Sequence, residues 1–520
     1  MTDFLDTVNG YIWSEWLVYL LLAAGVYFSV ITRFLQVRHI KNMVQLIVKG
    51  ESSPQGISSF QALAVSLAGR VGAGNIVGVA TAIAFGGPGA LFWMWIVAFL
   101  GASTSFVECT LGQIYKTPDP VTGEYRGGPA FYIKKAMAHT RAGGLFKVYA
   151  WIFAFVTLVA CGLLLPNIQA NSIADSANNA WGASTWVVGV IVALVLGFVI
   201  IGGVKRIAAF AAFVVPFMAA LYILLAIIVV LFNADQVPEV IRLIFSSAFG
   251  ADAAFGAIIG SAIMWGVKRG LYSNEAGQGT GPHAAAAAEV SHPAKQGLVQ
   301  SFAVYIDTLF VCSATGFLIL CTGAYRVFND ESEAGGIMHT GPAAAPYVQG
   351  EVGSSYVQTG FDTMWSGAGA SFVAISLIFF CFTTIVAYYY MAEVNLRFML
   401  GDAAKTYIPA LKSTIGQNLT IVLQALILAS VVYGSVAEAK DAWTLGDIGV
   451  GSMAWLNLIA IVIIQVPALK ALRDYERQRK QGLDPVFDPK PLGIQGATFW
   501  ETYTGPPPRE RDVALDTRGR

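Results

Sequence analysis

The chain has 520 residues, of which 56% are hydrophobic and only 12% are charged. Soluble globular domains carry about 25% charged residues, so this composition excludes an ordinary soluble protein and indicates a polytopic membrane protein. The net charge is zero, from 32 basic and 32 acidic residues, and gives no indication of nucleic acid as a partner. The cysteines form no CxxC motif and have no His cluster beside them, so we expect buried free thiols rather than a metal site. They are Cys109, Cys161, Cys312, Cys321 and Cys381.

Apolar runs of about 20 residues, the length that crosses a bilayer as a helix, recur along the whole chain. We count about eleven, which predicts an all-α membrane protein. The second and seventh runs are interrupted by glycines and charged residues. The candidate spans are 14–32, 60–84, 89–114, 147–170, 185–202, 208–232, 253–288, 298–323, 366–396, 414–434 and 447–468.

Loop charges predict the orientation of these spans. With the N-terminus outside, the loops that become cytoplasmic hold 21 Lys and Arg residues, and the opposite loops hold three. This bias predicts an external N-terminus and a cytoplasmic C-terminus. The first residues lack the basic region of a cleavable signal peptide, so the first helix is retained. The loop 325–365 is interpreted as a linker or as a lid over an external entrance, and the polar 471–520 as a weakly ordered cytoplasmic tail.

The second span contains the first interruption, the run Gly72-Ala73-Gly74-Asn75. Glycines in membrane helices often serve only close packing. An Asn side chain beside two glycines has no solvent at membrane depth, however, and irregular backbone there is tolerated only inside protein or along a cavity. We therefore interpret these four residues as a functional break that contacts substrate.

The seventh span contains the second interruption, within 265–282, and Gly266 and Gly270 are assigned to the same site. When the first helix is set aside, the two interrupted spans occupy matching places in two five-helix halves of opposite orientation. Paired broken helices of this kind are typical of a transporter site at the membrane midplane. The predicted units are 1–58 with the first helix, 59–232 and 233–470 as the two halves, and 471–520 as the tail.

The loose ends of broken helices suit an amino acid. Free N–H groups at a helix N-terminus attract a carboxylate, and carbonyl oxygens at a C-terminus suit a sodium ion. No filter-like repeat supports a channel, and no HExxH or GxSxG motif supports an enzyme. We therefore expect a carrier without covalent chemistry or a cofactor.

Several charged residues fall within or beside the predicted spans, where each needs a partner or water. Arg70 is the candidate partner of Glu275. Their pairing is interpreted as a lock between the two halves, or as a gate or substrate contact. Asp307 is assigned either to the ion path or to interhelical hydrogen bonding. The other charged residues at depth are Glu108, Lys268, Arg269 and Glu393.

Thr383 and Thr384 lie in the middle of the ninth span. Vicinal hydroxyls on a helix usually bond to carbonyls of their own helix. Hard cations prefer oxygen ligands, so these hydroxyls together with carbonyls of the first break form an alternative interpretation, a sodium site without formal charge.

The run Gly86-Gly87-Pro88-Gly89-Ala90-Leu91-Phe92-Trp93-Met94-Trp95 and its continuation to Gly101 resemble the signature of the alanine or glycine:cation symporters. The runs 58–63, 71–76, 270–277 and 382–385 are similar to other marked stretches of that family, and the resemblance extends over about 14–470.

This resemblance implies a leucine-transporter-like fold, with five-helix inverted repeats and one added N-terminal helix, in a bacterial inner membrane. It also implies Na⁺-driven import of alanine, glycine or D-alanine. We expect alternating access around a midplane site, with an H⁺-coupled permease as the alternative because deep carboxylates can carry protons. It assigns substrate contact to Gly72, Ala73, Gly74 and Gln169, and Na⁺ to Thr383 and Thr384. Many members carry Thr where this chain has Ala73, which leaves the stereochemical preference open.

Overall fold

The structure, a computed structural model, describes residues 2–48, 56–119, 123–200, 203–251, 255, 258–329, 336–342, 352–406 and 412–503. These residues are mostly helical, with two short antiparallel hairpins. The hairpins are β1 (Thr117–Pro118) with β2 (Tyr125–Arg126), and β3 (Arg326–Phe328) with β4 (Ile337–Thr340).

The helices range from four to 39 residues in length, and three π-helical turns adjoin them. In chain order they are α1 (Thr2–Ile12), α2 (Glu15–Ile31), α3 (Leu35–Arg38), α4 (Ile40–Val48), α5 (Ser59–Arg70), the π turn Gly74–Gly78, α6 (Val79–Gly86), α7 (Gly89–Ile114), α8 (Pro129–Met137), α9 (Gly143–Val159), the π turn Ala160–Leu164, α10 (Leu165–Trp181), α11 (Thr185–Ile200), α12 (Gly203–Phe232), α13 (Val237–Ala248), α14 (Ile259–Asn274), α15 (Gly281–Ala287), α16 (Pro293–Val304), the π turn Tyr305–Cys312, α17 (Ser313–Thr322), α18 (Ser354–Asp362), α19 (Ala368–Thr406), α20 (Lys412–Val436), α21 (Ala439–Ile464) and α22 (Val466–Lys480).

Eight stretches of helix in the described ranges are long and apolar enough to cross a membrane, and the bent pair α5 and α6 makes a ninth. The protein is therefore a multi-pass helical membrane protein. The sequence predicted eleven spans, and this count is not reproduced among the described residues. The count differs because α11 is short and because the pair α14 and α15 is interrupted, so neither meets the same length criterion.

The first interruption lies where the glycines predict it. A capping box starts α5: Ser58 Oγ accepts from the Gln61 amide, and the Gln61 side chain accepts from the Ser58 amide. Helix α5 ends at Arg70, and Val71 is extended, with φ −80° and ψ 93°. The chain resumes a helical course toward α6 at an angle of 55°. The span is thus two half-helices.

The second interruption separates α14, which ends at Asn274, from α15, which begins at Gly281. Glu275 caps α14 in the left-handed region at φ 56°, where a non-glycine residue is uncommon. Gly277 and Gly279 follow with φ 92° and 91°, which only glycine adopts readily. Backbone conformation therefore places this break at residues 275–280.

The C-terminal segment differs from the weakly ordered tail predicted for 471–520. Helix α22 continues to Lys480, and residues 483–503 pack against the helical body, with Phe487 and Trp500 buried. The apolar side chains of this polar, Pro-rich stretch provide enough buried surface to hold it in place. Residues 504–520 of the predicted tail lie outside the described ranges.

The described parts of loop 325–365 also pack closely. The Phe328 ring lies 6.0 Å from that of Phe85 at the end of α6. Tyr356 on α18 is buried, and its hydroxyl donates to the Arg326 carbonyl at 3.1 Å. This segment therefore covers the end of the first broken helix.

Candidate functional site

The first break presents backbone groups to side chains of neighbouring helices. The Gly72 amide donates to Asn75 Oδ1 at 2.9 Å, and the Ala73 amide donates to Gln169 Oε1 at 3.0 Å. A Cβ on Gly72 would lie 2.6 Å from Thr384 Oγ1 and 2.8 Å from Gln169 Oε1, so a side chain there would displace both of these polar groups. The structure thus brings together residues of the predicted substrate and sodium sites.

Gln169 links the first break to α14. Its Nε2 donates to the Tyr272 hydroxyl at 3.2 Å, and the Tyr272 ring lies 5.2 Å from that of Trp443 on α21. Gln169 and Tyr272 are both buried. Because Tyr272 accepts from Nε2, it holds Oε1 toward the Ala73 amide. Sequence inspection did not single out Tyr272, although it lies within the run 270–277 that resembles a family motif.

Asn75 connects the two broken helices through one buried network. Its Nδ2 donates to Asp307 Oδ1 at 2.6 Å and to Ser273 Oγ at 3.0 Å. Ser273 and Thr308 each donate to Asp307 Oδ2 at 2.7 Å. Asp307 therefore serves interhelical hydrogen bonding, one of its two predicted roles. Oriented dipoles on both oxygens of one carboxylate make this network rigid.

The two predicted sodium-site threonines differ in what they contact. Among the described residues, the hydrogen bond of Thr383 Oγ1 stays within its own helix, to the Phe380 carbonyl at 2.9 Å. Thr384 Oγ1 lies 3.0 Å from the same Phe380 carbonyl, but it also lies 2.8 Å from the Ala68 carbonyl and 3.4 Å from the Val71 carbonyl, across the helix interface at the end of α5. The neutral oxygens gathered around Thr384 are the ligand type that a hard monovalent cation prefers.

Gly266 and Gly270, which the sequence assigns to the substrate site, do not lie at the break. Both are inside the continuous helix α14 and face α7. A Cβ on Gly266 would lie 2.5 Å from Trp93 Cβ, and one on Gly270 would lie 3.3 Å from Met94 Cα. Small residues here allow two helices to approach closely. Their position gives them a packing role, and the break begins about five residues later.

Arg70 and Glu275 are both buried beside the breaks, but the described residues include no direct ion pair between them. Arg70 donates to the Gln300 carbonyl at 3.2 Å and to Ser105 Oγ at 3.4 Å. Glu275 Oε2 accepts from Thr280 Oγ1 at 2.8 Å. The hydrogen bonds of both side chains are thus made to other groups.

A second buried glutamate clamps the second break. Glu108 on α7 accepts from the Gly277 amide at 3.1 Å and from Asn457 Nδ2 at 2.7 Å. Asn457 also donates to the Gly277 carbonyl at 2.9 Å and accepts from the Tyr132 hydroxyl. Three helices therefore hold the irregular backbone of residues 275–280 in one shape.

Asp447 on α21 is the ion-pair partner that sequence reasoning missed. It accepts from both terminal nitrogens of Arg269 at 3.0 Å, and Lys268 Nζ lies 2.8 Å from it. The Arg269 guanidinium also lies 4.2 Å from the centre of the Trp443 ring. The available signal was a lone carboxylate at the edge of an apolar span, where a buried partner is expected.

This ion-pair cluster forms one wall of a cavity of about 700 Å³ that is partly open to the outside of the protein. Residues of α1, α6, α14 and α21 line it. Arg269 and Trp443 line this cavity, and Tyr272 contacts Trp443 and accepts from Gln169, so a chain of contacts connects the cavity wall with the first break.

The helical fold and the two breaks around a buried polar centre define a multi-pass membrane transporter. The family model described as the sodium:alanine symporter family matches residues 1–489, and the chain belongs to that family.

Three curated relatives cover most of both chains. One is the putative sodium/proton-dependent alanine carrier protein YrbD of Bacillus subtilis (strain 168), 54% identical over 96% of this chain and 98% of its own. Another is the sodium/proton-dependent alanine carrier protein of Bacillus sp. (strain PS3), 49% identical over 88% and 97%. The third is the sodium/alanine symporter AgcS of Methanococcus maripaludis, 34% identical over 92% and 97%.

Proposed function

We propose that this protein is a secondary active symporter that imports alanine, glycine or both by alternating access, with Na⁺ as the coupling ion. The observation that carries the proposal is the first break, where the Ala73 amide and the oxygens around Thr384 lie on either side of Gly72. An anion-binding amide and a cation-binding oxygen set are thus separated by one glycine. The similarity to named alanine carriers supports this substrate class.

In this proposal Gly72, Ala73, Gly74 and Asn75 form the substrate site together with Gln169. The side-chain oxygen of Gln169 now accepts from the Ala73 amide. When substrate binds, its carboxylate takes that amide, and Gln169 turns its own amide nitrogen toward the substrate. Thr384 and Gln169 both approach Gly72 closely, and the little space that they leave beside the break favours a small amino acid.

Sodium binds at Thr384, with the Ala68 and Val71 carbonyls as further ligands and Thr383 beside them. Because those carbonyls belong to the end of α5, the cation fixes the backbone that positions the Ala73 amide. Sodium therefore raises the affinity for substrate, and by reciprocity substrate raises the affinity for sodium. A membrane potential of 100 mV adds about 2.3 kcal/mol for each charge that moves inward.

The proposal includes eleven membrane spans with an external N-terminus and a cytoplasmic C-terminus, supported by the asymmetry of loop charges. Residues 1–58 contain the added first helix, and 59–232 and 233–470 are the inverted five-helix repeats. The remainder, 471–520, lies on the cytoplasmic side. Arg70 and Glu275 form a gate on the cytoplasmic side of the breaks. They form an ion pair in one state of the transport cycle and separate in the other as the two halves move.

The test is uptake of labelled alanine into proteoliposomes that contain the purified protein. We expect accumulation above equilibrium with an inward Na⁺ gradient and a strong decrease when choline replaces Na⁺. Competition by glycine and by D-alanine ranks the substrates. Uptake that is equal with and without the Na⁺ gradient would sink the proposal of Na⁺ coupling.

An H⁺-coupled permease is the second candidate, because two of the relatives are named sodium/proton-dependent. The same vesicles distinguish it. Accumulation driven by an inward H⁺ gradient in choline medium would identify the proton as the coupling ion. Accumulation driven by Na⁺ at equal pH on both sides would show that no H⁺ gradient is needed.

A further inference from the structure

The C-terminal segment 483–503, here called the strap, lies against the chain that follows the second broken helix. Ser291 Oγ donates to the Pro485 carbonyl at 2.8 Å, and the Phe487 amide donates to the Ser291 carbonyl at 3.0 Å. The Phe487 ring lies 5.3 Å from that of His292, edge to face. Hydrogen bonds in both directions therefore join the strap to the connection between α15 and α16.

The aromatic end of the strap encloses a buried lysine at the end of α7. Lys116 Nζ lies 4.3 Å from the ring centre of Tyr125, 4.5 Å from that of Phe499 and 5.3 Å from that of Trp500. The same nitrogen donates to the Ala288 carbonyl at 2.9 Å. The Lys116 side chain thus contacts both the strap and the end of the second broken helix.

Further polar contacts extend this docking along the whole strap. Trp500 Nε1 donates to the Gln113 carbonyl at 3.0 Å. The Tyr503 hydroxyl donates to the Glu289 carboxylate. Lys295 Nζ lies 2.9 Å from an Asp484 oxygen, in a pair exposed on the Asp484 side. The strap therefore contacts both α7 and α16, and it passes over the C-terminal end of α15.

The docking surface also holds a β-bridge between Ile57, just before α5, and Ala288. The Ile57 amide donates to the Ala287 carbonyl at 3.0 Å, and the Glu289 amide donates back to the Ile57 carbonyl at 2.8 Å. The start of the first broken helix and the end of the second thus meet under the strap. A carrier that opens toward this side must separate these elements.

We propose that the strap is a reversible latch of this chain on itself, which holds the second broken helix closed on the C-terminal side and releases when the protein opens to that side. This inference rests on the alternating access proposed above. Reversibility follows from the type of contact, because a cation–π contact contributes about 0.5–2 kcal/mol and a neutral hydrogen bond about 0.5–1.5 kcal/mol. Because each contact is individually weak, the contacts can be broken one after another as the protein opens.

Cys109 is a native reporter for this opening. It is buried on α7, and its Sγ would lie 3.1 Å from a Cβ on Gly281, the first residue of α15. With the other four cysteines replaced by Ala, a membrane-impermeant methanethiosulfonate can modify only Cys109. We would measure the modification rate in inverted and in right-side-out membrane vesicles.

Trp500→Ala removes one wall of the lysine cage and one hydrogen bond, and we expect modification about tenfold faster, which corresponds to about 1.4 kcal/mol less stabilisation of the closed state. The increase should occur only from the side that bears the C-terminus. Leu483→Ala is the matched control, because Leu483 belongs to the strap but is 54% exposed. It should leave the rate unchanged.

Tyr503→Phe removes a single hydroxyl and is the substitute variant if Trp500→Ala fails to fold. We expect a smaller increase in the rate of Cys109 modification for Tyr503→Phe. Rates that equal those of the parent protein in both variants, or an increase from the opposite side, would overturn the latch. The assay needs neither alanine nor Na⁺. A failed latch is therefore distinguishable from a failed symporter, which the uptake assay reports.

Discussion

Thr384→Val tests the proposed sodium site most specifically, because it removes one hydroxyl and keeps the branched shape of the side chain. Thr384 Oγ1 lies 2.8 Å from the Ala68 carbonyl and 3.4 Å from the Val71 carbonyl. A cation held among these oxygens would lose one of its ligands. An interaction of a charged group with a hydrogen-bonding partner contributes about 1.5–3 kcal/mol, which corresponds to about a 10- to 150-fold weaker affinity for Na⁺.

The assay is the Na⁺ concentration that gives half-maximal alanine uptake in proteoliposomes, measured at saturating alanine. Thr384→Ser keeps the hydroxyl and should stay within about threefold of the parent protein. Thr383→Val is a second comparison, since Thr383 bonds only to the Phe380 carbonyl of its own helix, and we expect a smaller effect there. An unchanged Na⁺ dependence in Thr384→Val would refute the assignment of the cation to this side chain.

Other substitutions test the surrounding geometry. Gly72→Ala would place a methyl group 2.8 Å from Gln169 Oε1, and we expect uptake to fall to background while the protein, less stable by about 1–3 kcal/mol, still reaches the membrane; normal uptake would contradict the close approach. Tyr272→Phe removes the acceptor that holds Gln169 on the Ala73 amide, a contact that substrate must displace, and should therefore lower KM for alanine about fivefold at constant kcat, for a change of about 1 kcal/mol; a raised KM would argue against this displacement. Asp447→Asn leaves the Arg269 guanidinium without its carboxylate and should destabilise the fold by about 3–5 kcal/mol, as measured by thermal unfolding in detergent; an unchanged Tm would mean that the pair is not formed.

The sequence predicted the first break well because its signal is local. A run of glycines beside a buried Asn75 is unfavourable in a continuous membrane helix, and the observed bend falls on these residues. The contacts of Gln169 and Thr384 with this break follow from the resemblance to a family, since residues about 100 and 310 positions away cannot be paired from spacing alone. The proximity of Gln169 and Thr384 to the first break was therefore predicted from the resemblance and not from the periodicity of the sequence.

The second break was placed less well for a physical reason. From the sequence alone, Gly266 and Gly270 are as suitable for a helix break as Gly277 and Gly279. In the structure, only Gly277 and Gly279 of these four adopt positive φ. A glycine that permits close helix packing and one that permits a break look alike until the partner helix is known. Here the partner is α7, which contacts the first pair through Trp93 and its neighbours.

Buried charge pairing and the strap were beyond sequence reasoning. Arg70 was the expected partner of Glu275, but the described residues show no ion pair between them, while Lys268 and Arg269 both pair with Asp447. Several carboxylates at similar depth compete for each cation, and side-chain geometry decides among them. The composition of the strap, polar and rich in proline, favours weak order, while a few apolar side chains such as Trp500 suffice to dock it.

The most direct test of the central claim is equilibrium binding of labelled alanine to the purified protein, with no membrane and no gradient. We predict saturable binding in Na⁺, at least tenfold weaker binding in choline, and loss of this difference in Thr384→Val with recovery in Thr384→Ser. Alanine affinity that is the same in Na⁺ and in choline for the parent protein would contradict a shared substrate and cation site at the first break.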